Sequence, residues 1–409
     1  MSEDVGLKFE KNYPVPIRIW NFFGKTGLQR KIKTDDLLKK AKRNTRLEDF
    51  GNEFFMEPLE VLVKSINEEA ELHAFGRYVT KARLVNLLSN RLRAEDYLKR
   101  NPQINDIELL PIWWISGLQR TGTTFLHRLL ATVPGTATIK SWEALNPVPL
   151  EKDFQNKKRI AMAQTSEKGL RYIAPDFFAI HPVEHLSPEE EILLLDISFM
   201  STVPEATLRV PTYAKWLEKQ DQTPAYDYMQ KLIRIIQFQK GVKKRWVLKS
   251  PHHLEYLDTL TNVFPGTNFI FTHRDPLQTI ASFCSMIYFS RRIFSSNVDE
   301  MEIGHHWLRK IKLMLEKSMK FRAMNKDVEC ADISYQNLIK DPFGQVKIIL
   351  DRYNNTVTET DRRAIQQSVK QNKRDKFGLH NYELQDFGLT GNALEVEFLE
   401  YKTKYSQYL

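Results

Sequence analysis

Two glycines bracket four residues in the run Ser116-Gly117-Leu118-Gln119-Arg120-Thr121-Gly122-Thr123-Thr124-Phe125. This is the spacing of the phosphate-binding loop G-x-x-x-x-G-K-[ST], in which a glycine-rich turn between strand and helix aims backbone amides at a phosphate. Thr124 stands where the Ser/Thr belongs, but Thr123 occupies the lysine position and the cation sits inside the loop as Arg120. Such a loop suits a 5′-phosphate and lacks the lysine that reaches the β- and γ-phosphates of ATP or GTP. A second anion site is suggested at Thr272-His273-Arg274-Asp275-Pro276. Asp275 and Pro276 suit the start of a helix over 277–286, which leaves Arg274 at a strand end beside a helix N-terminus. Ser282 lies two helical turns further along.

These residues need a frame, and the apolar pattern predicts one. Residues 34–100 read as helical. Leu109 to Ser116 forms a nearly unbroken apolar run, as expected of a parallel strand covered on both faces. A helix follows it, carrying Phe125, Leu126, Leu129, Leu130 and Val133, and Pro134-Gly135 stops it. Further strands are expected at 137–142, 245–249, 268–273 and 328–333, with helices over about 186–200 and 224–240. Alternating strands and helices imply a parallel α/β sheet with ligands at the carboxyl ends of the strands. The expected architecture is therefore P-loop-like and three-layered: a helical extension over 1–108, then an α/β domain over 109–409.

Composition narrows the partners. The chain has 409 residues, 42% hydrophobic and 27% charged, with net charge +9. A positive field steers anionic ligands. The basic runs Arg30-Lys31-Ile32-Lys33 and Lys39-Lys40-Ala41-Lys42-Arg43 lack the aromatic pattern of a nucleic-acid reader, so no nucleic acid is expected as a partner. No apolar run approaches the length of a membrane span. Met1-Ser2-Glu3-Asp4-Val5 does not read as a secretory signal, and Cys284 and Cys330 read as reduced thiols, so a cytoplasmic location is expected.

The loop with Arg120 and the later Arg274-x7-Ser282 together resemble the sulfotransferase family, which takes sulfuryl groups from 3′-phosphoadenosine 5′-phosphosulfate (PAPS) and releases 3′-phosphoadenosine 5′-phosphate. Further matches are Lys249-Ser250-Pro251-His252-His253-Leu254, Ser334-Tyr335-Gln336-Asn337-Leu338 and the run Asn381 to Leu389. The common cytosolic pattern is K-[ST]-G-[TS]-[TS]-W-L. Here Arg120 replaces its lysine and Phe125 its tryptophan, a form more similar to a bacterial-type branch with a longer N-terminal helical region.

The resemblance assigns roles as expectations. Thr121, Gly122, Thr123 and Thr124 would hold the 5′-phosphate, and Arg274 with Ser282 the 3′-phosphate. Phe125 and Tyr335 would lie against the adenine, and Arg374 and Lys376 would fold over the nucleotide in a C-terminal loop near 370–390. Arg120 would neutralise the leaving oxygen, although an always-protonated guanidinium does not readily donate a proton. Lys249 would contact the sulfuryl oxygens. The base for a small-molecule hydroxyl, or an amine, is left open among His253, His252 and Glu143. Aromatic residues around 172–216 and 283–294 suggest an apolar acceptor pocket. No metal is required. His181-Pro182-Val183-Glu184-His185 matches the H-x-x-E-H zinc signature, but Pro182 opposes the helix that signature needs, and the segment reads better as pocket lining. The alternatives are an ATP-dependent P-loop kinase, which the absent lysine opposes, and a non-enzymatic protein meeting membrane surfaces through its basic N-terminal helices.

Overall fold

The computed structural model describes residues 13–24, 31–153, 155–241, 243–353, 355, 358–371 and 382–409. Five parallel strands form the sheet: β1 Trp113–Gly117, β2 Thr136–Ala137, β3 Arg245–Lys249, β4 Asn268–His273 and β5 Cys330–Ser334. Their spatial order is β2-β3-β1-β4-β5, with β1 paired to β3 on one side and to β4 on the other. The chain leaves β1 toward one edge and later returns to the other side, so a crevice opens at the carboxyl end of β1.

Burial follows the two-residue strand period. Trp114, Leu248, Phe269 and Phe271 join one core, while Trp113, Ile115, Val247 and Ile270 join another on the opposite face. Helix α5, Thr123–Leu130, and the helices Pro342–Arg352 and Glu359–Gln371 contribute to the second core. The N-terminal helices α1 Val15–Gly24, α2 Thr34–Thr45, α3 Met56–Glu69 and α4 Ala74–Arg100 precede the sheet. Leu37, Leu59, Leu88 and Leu92 from α2, α3 and α4 share the first core with Trp114 and Trp246. Apolar packing therefore runs continuously across the expected boundary at residue 108.

Several boundaries differ from expectation. The first strand begins at Trp113, after Pro111, whose ring nitrogen has no proton for a ladder bond. The second is only two residues long, because Ser141 already starts the helix Ser141–Leu145. The helix expected over 186–200 contracts to Ile192–Leu195 and a 3₁₀ turn, since Glu189 gives its amide to Ile139 instead. The helix after Arg274 extends over Pro276–Arg292.

Helix α5 is tied to the sheet by His127, a buried side chain whose Nε2–H donates to the Val247 carbonyl at 3.0 Å. Burial pushes its pKa down to about 3, and the charge of Lys249 pushes the same way. The folded state thus holds a neutral ring while the unfolded chain takes a proton below its ordinary 6.5. In that window the unfolded state binds more protons, so stability is lost as pH falls from 6.5 toward 3, by up to about 1.4 kcal/mol per pH unit for one group. In denaturant titrations His127→Gln, which keeps an N–H donor, is expected to lose one proton's worth of this slope. An unchanged slope would contradict the assignment.

Candidate active site

The loop after β1 turns sharply. Arg120 and Gly122 both have positive φ, 68° and 86°. Gly122 caps α5, and its carbonyl accepts the Leu126 amide at 3.0 Å. Alternating left-handed residues turn successive N–H groups to one side and make a concavity for an anion. Gly117 is required by packing: a Cβ there would lie 2.0 Å from Thr272 Oγ1. The buried Thr121 hydroxyl is committed to the loop, bonding the Leu118 carbonyl and Thr272 Oγ1, each at 2.6 Å. Thr123 is buried and Thr124 exposed at the start of α5. Phe125 is half-buried against the Leu126–Leu130 core.

Four residues singled out in the sequence converge on this turn. Arg120 Nε donates to Ser282 Oγ at 3.1 Å, and its NH1 donates to the Ile180 carbonyl at 3.2 Å. Arg274 NH1 donates to the Arg120 carbonyl at 3.0 Å, while its guanidinium lies 4.2 Å from the Tyr335 ring centre. The Tyr335 ring in turn backs Gly122, where an added Cβ would come within 3.0 Å of it. Ser282 thus meets Arg120 directly, rather than standing with Arg274 alone. Arg374, Lys376 and His380 lie outside the described residues.

Lys249, at the end of β3, is buried among carboxylates. Its Nζ pairs with Glu190, and its amide donates to Glu191 Oε2 at 2.7 Å. Glu191 Oε1 takes His253 Nε2 at 2.6 Å, and Tyr226 O–H meets His253 Nδ1 at 2.7 Å. A carboxylate accepts, so a proton lies on Nε2, and Nδ1 is engaged by the tyrosine hydroxyl. His253 is therefore enclosed with both nitrogens engaged. His252 is also buried, packed 4.8 Å from the Tyr256 ring, and burial pushes its pKa well below the usual value. Glu143 is buried too: Oε1 pairs with Lys240 at 2.6 Å and Oε2 accepts the Lys140 amide at 2.8 Å. The acceptor atoms of His253 and Glu143 are thus engaged, whereas both ring nitrogens of His252 are buried without a hydrogen-bond partner among the described residues.

His181, expected as pocket lining, does meet Lys249 and Arg120, together with glutamates to which the sequence assigned no role in the site. Burial holds His181 down at about 4; Glu190 opposes this, while Lys249, Arg120 and Arg128 reinforce it, so all five share one electrostatic neighbourhood. Burial raises the Glu189 carboxyl, against the charge of Lys249. The run Glu189-Glu190-Glu191 falls within the helix expected over about 186–200. Its signal was three acids directly before Ile192-Leu193-Leu194-Leu195, an apolar stretch that must draw them inward. The other members of the H-x-x-E-H segment have ordinary partners: Glu184 pairs with Arg128 at 3.0 Å, and His185 Nδ1 meets Glu167 at 2.6 Å. Among the described residues, no three His, Cys, Asp or Glu side chains are grouped to hold a metal. Of the aromatics expected around a pocket, Phe199, Tyr213, Phe283 and Phe289 belong to the core, while Phe177 lies 5.8 Å from the His181 ring.

A parallel sheet, a lysine-free glycine turn after its central strand and an arginine after the neighbouring strand make up a P-loop-like α/β fold. The sequence pattern of the Sulfotransferase family matches residues 111–359, and the chain belongs to that family. It is similar to the crystal structure of sulfotransferase STF1 from Mycobacterium tuberculosis, with 29% identity and a TM-score of 0.79 over 91% of this chain and 100% of the other. Sulfotransferase STF9 from Mycobacterium avium shares the fold at 22% identity and a TM-score of 0.83, over 93% and 98%. A comparison with curated proteins finds no match.

Replacing Gly122 tests the turn. Gly122→Ala forces a side chain into a left-handed conformation and against Tyr335, and is expected to lower unfolding free energy by about 1–3 kcal/mol. Chemical denaturation measures this. A loss within error of zero would mean the turn is not held in this geometry.

Proposed function

We propose that the chain transfers the sulfuryl group of PAPS to a hydroxyl, or less readily an amine, of a small and partly apolar acceptor. The observation that carries this reading is the meeting of Arg120 and Arg274 on one turn. One cation faces the loop and the other its outer edge, as a donor with a 5′-phosphosulfate and a separate 3′-phosphate requires. A kinase reading is not favoured, because Thr123 replaces the lysine that would reach a γ-phosphate.

In this reading the amides of Thr121 to Thr124 bind the 5′-phosphate, and Arg274, steadied on Tyr335, binds the 3′-phosphate. Phe125 and Tyr335 border the adenine. The acceptor oxygen attacks sulfur in line as the bond from sulfur to the 5′-phosphate oxygen breaks, and 3′-phosphoadenosine 5′-phosphate leaves with the bonding pair. Arg120 stabilises that charge without giving up a proton, and Lys249 contacts the sulfuryl oxygens. The acceptor proton goes to Glu190, the carboxylate paired with Lys249. Glu191 and His253 hold the Lys249 strand end in place, a positioning role. No residue is assigned to a metal. Separate free thiols at Cys284 and Cys330 support a cytoplasmic setting.

Arg274→Ala should weaken 3′-phosphoadenosine 5′-phosphate binding by about 1.5–3 kcal/mol, the cost of a charge-assisted contact, and weaken the analogue lacking the 3′-phosphate distinctly less, that smaller loss reflecting the hold of Arg274 on the Arg120 turn. Calorimetry compares the two; equal losses would reject the assignment. Glu190→Gln is expected to cut turnover about 10²–10⁴-fold, the range of general base catalysis, with nucleotide affinity nearly unchanged. Near-normal turnover would exclude Glu190 as the base.

A further inference from the structure

Helix α1 is built inside out. Its inward face is narrow: Ile17 is buried, Asn21 Oδ1 accepts the Phe75 amide at 2.9 Å, and Gly24 sits so close to α4 that a Cβ would lie 2.2 Å from that of Ala74. The large apolar side chains point the other way. Val15, Ile19, Trp20 and Phe22 are 62%, 51%, 45% and 68% exposed. Trp20 lies 5.1 Å from Tyr78 of α4, itself exposed, which extends the patch onto the next helix. A surface helix ordinarily buries its apolar stripe and exposes its polar one; α1 does the reverse, and so large a contiguous patch marks an interaction site.

Charge selects the partner. From Tyr13 to Lys33 the sequence holds Arg18, Lys25, Arg30, Lys31 and Lys33 and no acidic residue. Aromatic and aliphatic side chains flanked only by cations are the composition of a helix lying in the interface of an anionic bilayer. A protein partner or a second copy would need acidic groups facing these cations, and this segment offers itself none. Ten residues span about 15 Å, half of a bilayer's hydrocarbon core, so the helix can lie on a membrane and cannot cross it.

We infer that α1, through Val15, Ile19, Trp20 and Phe22 with Arg18 among them, docks this protein on an anionic lipid surface. The inference is independent of the proposed reaction, because no residue of the crevice takes part. The docked helix is nonetheless anchored to the nucleotide-binding frame. Tyr13 O–H donates to the carbonyls of Arg292 and Ser295, at the far end of the helix that carries Ser282.

Flotation of the full-length protein with phosphatidylcholine vesicles, with and without phosphatidylserine, tests this. Binding is expected to be at least about tenfold stronger to the anionic vesicles and to weaken as salt is raised. The variant carrying Ile19→Glu and Phe22→Glu should lose that binding, while keeping its melting temperature and its affinity for 3′-phosphoadenosine 5′-phosphate; Arg18→Glu should weaken it in part. Failure of the wild type to bind anionic vesicles would overturn the inference, as would equal binding by the double variant. A wild-type dimer in light scattering that the double variant dissociates, without vesicle binding, would assign the patch to self-association instead.

Discussion

The site rests on one backbone hydrogen bond, from the Arg274 guanidinium to the carbonyl of Arg120. Arg120 is a long side chain held at a φ of 68°, a conformation that residues with a Cβ adopt only under constraint. The constraint is visible at both ends of the residue. Arg274 fixes its carbonyl, and Ser282 and Ile180 fix its guanidinium. Tyr335 then closes the far side by stacking under Arg274 and against Gly122. The turn that gathers backbone amides is therefore stabilised by the same arginine assigned to the second phosphate. Occupying one anion site should stiffen the other, because a single side chain borders both.

Burial of charge is the second organising constraint. Removing an ammonium from water is costly unless carboxylates meet it, and removing one partner leaves the other stranded. Lys249 meets this condition through Glu190, and the same solution recurs deeper in the fold. Lys310 is fully buried between Glu205, Glu218 and Glu255, at 3.5, 3.2 and 2.8 Å. Burial alone would push its pKa down, but the three carboxylates push it up, so the ammonium stays charged. Glu255 closes the short turn that carries His252 and His253. The segment after β3 is thus pinned by ions on both flanks, Lys249 before it and Glu255 after it, with His252 and His253 buried between them.

What could be read from the sequence divides along a physical line. Strands β3 and β4 were legible because each is a short apolar run with a polar residue at its start, and local composition suffices for that. The loop was legible because two glycines and two threonines at fixed spacing have few other uses. Contacts between residues far apart in the chain were not. Arg274 and Arg120 are 154 positions apart, and Lys249 and Glu190 are 59 apart, so no local pattern reports either pair. A histidine after a strand end looks like a base until Tyr226 and Glu191 are found on its two nitrogens. Three glutamates in a row look like a solvated helix start until a buried lysine is found among them.

The replacement of the usual lysine by Arg120 becomes intelligible from this division of charge. A lysine in the loop can stabilise a leaving oxygen and hand it a proton; a guanidinium supplies only the charge. Its planar fork also makes contacts an ammonium cannot hold at once, reaching Ser282 with one nitrogen and the Ile180 carbonyl with another. Those bonds join the loop to the helix after β4 and to the segment carrying His181. The arginine thereby ties three parts of the crevice together. Beside it, Glu189, Glu190 and His181 gather around Lys249. The sheet sets the two clusters side by side: the cationic turn follows β1, and Lys249 ends the adjacent strand β3.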